Sequence, residues 1–153
     1  MKKTKAIEML SGMAVAFETR EFCAREFTAE EVSSQLALPL SVVFKTLIVQ
    51  GSGAVYAAAV VPADRELNCK KAAAALGVKS ADLLPLKDLQ RLTGYLKGGV
   101  SPLGLKRSMP VLIDKTAESC EKICVSAGLR GLQMLLAPRA LAEAAQARFC
   151  DLT

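Results

Sequence analysis

The chain has 153 residues, of which 52% are hydrophobic and 23% charged, a balance typical of a folded globular domain rather than a disordered chain. It has no histidine, which excludes Ser-His-Asp and Cys-His catalysis and most zinc or non-haem iron sites. The net charge of +5 is uneven: residues 70–153 carry 13 basic and 7 acidic side chains, which favours either an anionic partner such as nucleic acid or a lysine-rich solvated surface.

The first segment is predicted to be a helix over residues 3–12, followed by a strand over residues 13–22. Three lysines precede an apolar stretch, as in a secretory signal, but Glu8 interrupts that stretch while Ile7 and Leu10 suit one helix face. We therefore expect folded structure here and no targeting segment. No apolar run reaches the roughly 20 residues that span a bilayer, so no membrane partner is expected.

The middle of the chain alternates helix and strand signals. Thr28 and Glu31 form a capping-box pattern at the start of a helix that Pro39 ends. Two strands flank a Gly-Ser-Gly turn, and two short helices follow, the first of them between Asn68 as its N-cap and Gly77 as its stop. The predicted strands span residues 42–50 and 54–62, and the helices span residues 67–77 and 85–94.

The last third of the chain is predicted to contain four strands and one helix. The strands cover residues 109–114, 122–127, 132–137 and 148–152, and the helix covers residues 138–147. No internal repeat or linker interrupts the chain. The order of the elements predicts one α+β domain over residues 1–153.

The chain has five cysteines, an odd number with no spacing typical of a disulfide framework. Without an export signal, we expect them to be thiols in the cytoplasm. Cys120 and Cys124 lie four residues apart, which permits a metal clip, but no histidine or second pair completes four ligands, and two small, partly buried hydrophobic residues are favoured. The lack of a CxxC pair disfavours a thiol redox protein. We expect no metal and no cofactor.

Lys45 is a candidate functional residue because it is the only charged residue between Glu31 and Asp64. The β-branched and aromatic residues around it predict partial desolvation and donors that serve a specific partner. The alternative is a strand lysine whose ammonium group reaches solvent.

A glycine-rich segment, GYLKGGVSPLGLK over residues 94–106, is the second candidate. Gly98, Gly99 and Gly104 allow positive φ and a close approach of a ligand to the backbone. Consecutive N–H groups can then hold a phosphate or a developing oxyanion. The spacing is neither a Walker loop nor a dinucleotide fingerprint, so the alternative is an irregular surface turn.

The third candidate is the segment VSAGLRGL over residues 125–132. The hydroxyl of Ser126 and the amides of the turn at Gly128 can form a substrate-binding wall, and Arg130 can pair with a phosphate or carboxylate. The alternative is a hairpin turn with ordinary polar residues.

The three candidates occur together in a known family. The segments FKTLIV, QRLTGYLKGGVSPLG and VSAGLRGL resemble, in this order and at this spacing, the YbaK family of aminoacyl-tRNA deacylases, which are free-standing relatives of the editing insertion in bacterial prolyl-tRNA synthetases. The resemblance covers residues 40–137 closely and the flanks more loosely. It implies a mixed, largely antiparallel, barrel-like β-sheet surrounded by helices.

The resemblance also implies roles for individual residues. The glycine-rich segment would form one wall of a pocket for the aminoacyl end of a mischarged tRNA, with Lys45 and Gly98 as catalytic residues. The implied substrate-binding residues are Thr46, Gly99, Ser101, Pro102, Ser126, Gly128 and Arg130. An ester needs less activation than an amide, so positioning and backbone N–H groups can promote its cleavage without histidine, with water or a substrate group as nucleophile.

The implied function is trans-editing, in which the aminoacyl ester of mischarged tRNA is hydrolysed, with Cys-tRNA(Pro) as substrate and prolyl-tRNA synthetase as a further partner. Two departures from the family pattern bear on the substrate, because many members have an aspartate where this chain has Gln133 and a tyrosine near residues 19–22. One alternative is another small amino acid such as alanine, since a few methyl groups decide only about 1–3 kcal/mol of discrimination. The other is a non-catalytic module that binds tRNA or a synthetase.

Overall fold

In the computed structural model, which describes residues 2–23, 25–26 and 28–153, the chain forms α-helices and β-strands that are interleaved along the sequence. The helices are α1 (Lys5–Gly12), α2 (Ala29–Leu36), α3 (Cys69–Leu76), α4 (Leu86–Thr93) and α5 (Pro138–Ala145). The strands are β1 (Glu18–Glu21), β2 (Phe44–Gly51), β3 (Val55–Pro62), β4 (Ala81–Leu83), β5 (Val111–Asp114), β6 (Ile123–Leu129), β7 (Leu132–Leu136) and β8 (Arg148–Cys150). The predicted α+β class is confirmed.

The predicted helix ends form where local capping chemistry indicated. Thr28 Oγ1 accepts a hydrogen bond from the N–H of Glu31 at 3.1 Å, and Asn68 Oδ1 accepts from two N–H groups in the first turn of α3. Gly77 ends α3 in the left-handed conformation, and Pro138 occupies the first turn of α5. These caps satisfy terminal backbone groups that a helix cannot bond internally.

The predicted strand over residues 13–22 is wrong in its first half, because β1 comprises Glu18–Glu21 alone. Ala14 has a φ of 56°, and the N–H of Val15 donates to the carbonyl of Leu10 at 3.2 Å. Residues 13–15 therefore form the closing turn of α1. The short strand β4 was not predicted, since three residues are too few to show an alternating pattern and it forms by pairing with β2.

The strands form two sheets with mixed pairing. One sheet has the order β1-β7-β6, and its neighbours are antiparallel. The other has the order β4-β2-β3-β5-β8, in which β2 pairs antiparallel with β3 and β4, while β5 pairs in parallel with β3 and β8. The pairing is thus mixed and largely antiparallel, as predicted.

The two sheets meet along one side rather than closing into a complete barrel. Within the described part of the chain, an isolated parallel bridge joins Val43, just before β2, to Cys124 in β6. This bridge brings the beginning of β2 next to β6, although some 80 residues separate the two strands in sequence. The site described below lies at this junction.

The main core lies between the inner faces of the two sheets. Ile48 and Val60 from the larger sheet pack with Val125 and Met134 from the smaller one, and Leu141 of α5 covers the same cluster. Alternate residues of each strand face outward onto other helices, α3 against the larger sheet and α2 against the smaller one. Both sheets are therefore packed against other residues on both of their faces.

The helices are short. Each of α1 to α5 spans eight residues, which corresponds to a length of about 12 Å. Among the residues that the structure describes, no helix is both long and apolar enough to cross a lipid bilayer.

Candidate active site

A cavity of about 430 Å³ lies at the sheet junction, between β2, β6, β7 and the glycine-rich segment. The start of α2 and residues 83–89 form its remaining sides. Four predicted site residues line it, namely Lys45, Thr46, Gly98 and Ser126. Most of the other lining side chains are apolar, and the volume falls in the range of roughly 300–1,000 Å³ that is usual for small-ligand sites.

Lys45 lines this cavity with a partly buried side chain that ends in an ammonium group. It lies on β2, where its backbone pairs with Val61 of β3, so its position is set by the centre of the larger sheet. Among residues 2–23, 25–26 and 28–153, no hydrogen bond or ion pair occupies this ammonium group. The charge is therefore available to an anionic or polar ligand.

Thr46 also lines the cavity, and its hydroxyl is buried. Its Oγ1 atom is inaccessible to solvent and has no hydrogen-bond partner in the described part of the protein. An unpaired buried hydroxyl costs about 1–3 kcal/mol, which makes such atoms rare in folded proteins. Because solvent does not reach this atom, a ligand in the cavity does not contact it.

Gly98 forms the part of the glycine-rich segment that reaches the cavity. Its φ is 86°, a conformation that residues with a side chain rarely adopt. Within the described residues, the N–H of Gly98 donates no hydrogen bond to the protein. The segment therefore presents an unused backbone donor at the cavity. Val100, two residues further along the chain, also lines the cavity.

Gly99 does not have the positive φ that the sequence predicted, although Gly98 and Gly104 do. Glycine is required there by a close approach instead: a Cβ atom on Gly99 would lie 3.1 Å from the backbone nitrogen of Arg130 and 3.2 Å from the carbonyl carbon of Leu129. Gly99 lies outside the cavity lining. Its contact fixes how closely the glycine-rich segment packs on the β6–β7 turn.

Tyr95, the second residue of the glycine-rich segment, bonds to other parts of that segment. Its buried hydroxyl donates to the carbonyl of Leu103 at 2.5 Å, and its N–H donates to the hydroxyl of Thr93 at 3.0 Å. A Cβ atom on Gly104 would lie 2.8 Å from the Tyr95 hydroxyl oxygen, so only glycine fits against the ring. Burial raises the pKa of Tyr95 to about 12, which keeps the phenol protonated as a donor at neutral pH.

The segment over residues 125–132 supports the same loop. Ser126 lines the cavity, and its Oγ accepts a hydrogen bond from the N–H of Gly128 at 3.2 Å. Gly128 has a φ of 102°, and a Cβ atom there would lie 2.8 Å from the ring of Tyr95. Arg130 Nε donates to the carbonyl of Lys97 at 2.8 Å. Gly128 and Arg130 thus hold the glycine-rich segment, and neither lines the cavity.

Ser101 and Pro102 are buried residues within the segment and also lie outside the cavity lining. The Oγ of Ser101 accepts a hydrogen bond from the N–H of Leu103 at 3.3 Å. These two residues shape the turn between Val100 and Leu103, whose carbonyl receives the Tyr95 hydroxyl. Their contact with the cavity is indirect.

Three residues of this site were not identified as functional from the sequence. Tyr95 was not singled out, Lys97 lines the cavity without having been noticed, and Gln133 was treated only as a departure from a family pattern. Gln133 is 5% exposed and lines the cavity from β7. Its signal in the sequence is a single amide within the otherwise apolar strand LQMLL.

The five cysteines are free thiols, as predicted. Burial raises the pKa of Cys124 to about 12, and burial also raises the pKa of Cys120 and of Cys150. These thiols stay protonated near neutral pH and are poor nucleophiles. Within the described ranges, no group of three or more Cys, Asp or Glu side chains is arranged to hold a metal ion.

Comparison with known protein sequences points to one family. Residues 24–144 match the family described as the aminoacyl-tRNA editing domain. A protein of Enterococcus faecalis assigned as a Cys-tRNA(Pro)/Cys-tRNA(Cys) deacylase is 38% identical over 154 residues, which cover 99% of this chain and 94% of that protein. A proline–tRNA ligase of Trichlorobacter lovleyi is 31% identical over 100 residues, which cover 65% of this chain and 17% of the ligase.

Comparison with solved structures gives the same fold. A hypothetical protein of known crystal structure superposes with a TM-score of 0.90 at 26% identity, over 97% of this chain and 99% of that one. A crystal structure assigned as a trans-editing enzyme for prolyl-tRNA synthetase superposes with a TM-score of 0.84 at 19% identity, over 99% of both chains. Because the second of these structures is only 19% identical to this chain, its likeness shows the fold alone.

Proposed function

This chain belongs to the aminoacyl-tRNA editing domain family, and we propose that it is a trans-editing hydrolase that cleaves the aminoacyl ester of mischarged tRNA, with Cys-tRNA(Pro) as its substrate. The observation that carries the proposal is the cavity in which Lys45, Thr46, Gly98 and Ser126 meet. These residues come from three separated segments of the chain, and Lys45, Gly98 and Ser126 offer polar groups to an otherwise largely apolar cavity.

Gly98 is proposed to stabilise the oxygen of the ester as negative charge develops on it. Its N–H has no acceptor within the described residues, and its conformation is held by the packing of Gly99, Tyr95 and Arg130. A donor that is already in place needs no reorganisation during the reaction, and removing one such donor typically lowers kcat by about 10²–10³-fold. The ribose oxygen that leaves from an ester is a better leaving group than the amine of an amide, so its departure needs less help from a general acid such as histidine.

Lys45 is proposed to bind the terminal nucleotide of the tRNA, through its ribose or phosphate, and so to hold the ester against Gly98. Its side chain is partly buried, and its ammonium group has no protein counter-ion among the described residues. Charge-assisted hydrogen bonds are about twice as strong as neutral ones, and they gain from a water-poor site.

The attacking group is proposed to come from water or from the substrate. The chain has no histidine, and burial keeps the Cys124 thiol protonated with a pKa of about 12. The protein's contribution in this proposal is position and electrostatic stabilisation, which together account for much of the rate enhancement of many enzymes.

Several further features are part of the proposal. A stretch that covers 65% of this chain is similar to part of a proline–tRNA ligase, which supports a functional link to prolyl-tRNA synthetase. We propose that residues 1–153 work as a single domain, in the cytoplasm, on tRNA presented by prolyl-tRNA synthetase. The remaining substrate-binding assignments, to Gly99, Ser101, Pro102, Gly128 and Arg130, are proposed to act through the shape of the glycine-rich segment.

The test is deacylation of tRNA(Pro) charged with cysteine, alanine or proline, followed as loss of the ester over time. The wild-type protein is expected to release cysteine, and Lys45→Ala is expected to be about 10- to 150-fold slower, equivalent to the roughly 1.5–3 kcal/mol of a charged hydrogen bond. Lys79→Ala is the matched control, since Lys79 is an exposed lysine outside the cavity lining.

The other outcomes identify the alternatives. Release of alanine without cysteine would assign the protein to another small amino acid. Failure to release any of the three, with tRNA binding retained, would refute the hydrolase and favour a tRNA- or synthetase-binding module.

A further inference from the structure

One of the residues that line the cavity, Gln133, carries a buried carboxamide. Gln133 lies on β7, directly opposite Ser126 of β6, so the two side chains project from the same face of the smaller sheet. Gln133 is 5% exposed, and both residues line the cavity. A buried amide must satisfy two N–H donors and one carbonyl acceptor.

Only the acceptor half of this amide is satisfied by the protein. The Cys124 thiol donates to Gln133 Oε1 at 3.5 Å, and the high pKa of Cys124 keeps the proton needed for this contact in place. Within residues 2–23, 25–26 and 28–153, Gln133 Nε2 makes no hydrogen bond. The contact with Cys124 holds one end of the carboxamide and leaves the donor end for the cavity.

Thr46 does not share this role. Its Oγ1 atom has no surface that solvent reaches, so a substrate atom in the cavity does not contact it. Gln133 Nε2 can only donate, so it suits a small ligand group with a lone pair, such as a thiol or an alcohol.

An apolar group would leave this donor unpaired. A methyl group placed against Gln133 Nε2 would exclude water from it without replacing the hydrogen bond that water makes. Sites that hydrogen-bond a substrate group discriminate strongly against analogues that lack it, whereas apolar pockets discriminate weakly between residues that differ by a methyl group. The cavity thus has the means to separate cysteine from alanine, which are similar in size.

We propose that Gln133 is a specificity-determining residue, which hydrogen-bonds the thiol of a cysteinyl ester and so favours cysteine over alanine. In this arrangement Gln133 Nε2 donates to the substrate sulfur. The inference rests on the proposed deacylase function. In this proposal the neutral amide of Gln133 recognises the side chain of the substrate amino acid, so no carboxylate is needed at this position.

The test compares two substrates that share one tRNA. The kcat/KM for Cys-tRNA(Pro) and Ala-tRNA(Pro) is measured with the wild type and with Gln133→Met, which removes the polar atoms of the side chain with little change in its volume. Because tRNA contacts are common to both substrates, they cancel in the ratio. We expect the ratio of cysteine to alanine to fall about tenfold or more in Gln133→Met.

Two further variants separate a role in specificity from one in folding. Gln50→Met is the matched control, since Gln50 is an exposed glutamine on β2 outside the cavity lining, and its ratio is expected to equal that of the wild type. Gln133→Glu keeps the size and polarity of the side chain but replaces the donor by an oxygen, so it is expected to lower the ratio even if Gln133→Met is too unstable to assay.

The two proposals fail in different ways. If the wild type releases neither amino acid, the deacylase function is refuted. If the wild type is active but Gln133→Met or Gln133→Glu keeps the wild-type ratio, the deacylase function stands and the role of Gln133 is refuted. A parallel loss of activity on both substrates also refutes it, because it identifies Gln133 as a structural residue.

Discussion

Replacing Tyr95 with phenylalanine removes one hydroxyl from within the glycine-rich segment and leaves the ring in place. That hydroxyl donates to the carbonyl of Leu103 at 2.5 Å in a buried position, so the carbonyl would lose its partner. Leaving a buried acceptor unsatisfied costs about 1–3 kcal/mol. For a domain of this size, 1 kcal/mol corresponds to about 2–4 °C in Tm, so we expect a decrease of roughly 2–12 °C.

The pH dependence gives a second, independent signature. Burial raises the pKa of Tyr95 from 10.0 to about 12, so the folded state favours the protonated phenol. Its contribution to stability is complete below pH 10 and is lost as the pH rises from about 10 to about 12. The difference in unfolding free energy between the wild type and Tyr95→Phe should therefore shrink across this window.

The assay is thermal and urea unfolding followed by circular dichroism, with Tyr56→Phe as the matched control. The Tyr56 ring lies 4.6 Å from the Arg107 guanidinium, and its hydroxyl has no hydrogen-bond partner in the described residues. The control variant should retain the stability of the wild type. An unfolding free energy of Tyr95→Phe within about 0.5 kcal/mol of the wild type would refute the anchoring role, because changes of that size are typical of unimportant surface positions.

Two further predictions concern the loop contact and the tRNA. Gly99→Ala places a Cβ atom 3.1 Å from the backbone of Arg130, and we expect it to lower stability by about 1–3 kcal/mol and to slow deacylation, whereas Gly12→Ala, with no atom within 4 Å of its Cβ, should stay close to the wild type in unfolding and activity. If Gly99→Ala matches Gly12→Ala, the close approach does not constrain the loop. Lys106→Glu and Arg107→Glu should weaken binding of cysteinyl- and alanyl-tRNA equally, and should flatten the salt dependence of binding by about 1 in log–log slope per lost phosphate contact. An unchanged slope would place the tRNA on another face.

Much of the secondary structure could be predicted because its signals are local. Thr28 and Asn68 bond N–H groups two or three residues away, and Gly77 ends its helix through its own φ. Lys45 was conspicuous for the same kind of reason, since one charge in a long uncharged stretch is visible without a structure. The strand β4 was missed because three residues become a strand only when β2 lies beside them.

Roles within the site depended on contacts between distant segments. Gly98 and Gly99 are adjacent in sequence and looked equivalent, yet one reaches the cavity and the other packs on the backbone of Arg130. Arg130 looked like an anion-binding residue, but its Nε donates to the carbonyl of Lys97. Gln133 looked like a simple departure from a pattern until its burial and its contact with Cys124 were known.

The sequence by itself determined the helices, most of the strands and the family, because caps, turns and motifs are written in residues that lie close together along the chain. Only the tertiary structure decided which of the polar groups share one cavity. That outcome depends on the bridge between Val43 and Cys124 and on the packing of the glycine-rich segment against the β6–β7 turn. The bridge and the packing both depend on many apolar contacts between residues that are distant in sequence, and a local sequence pattern cannot predict such contacts.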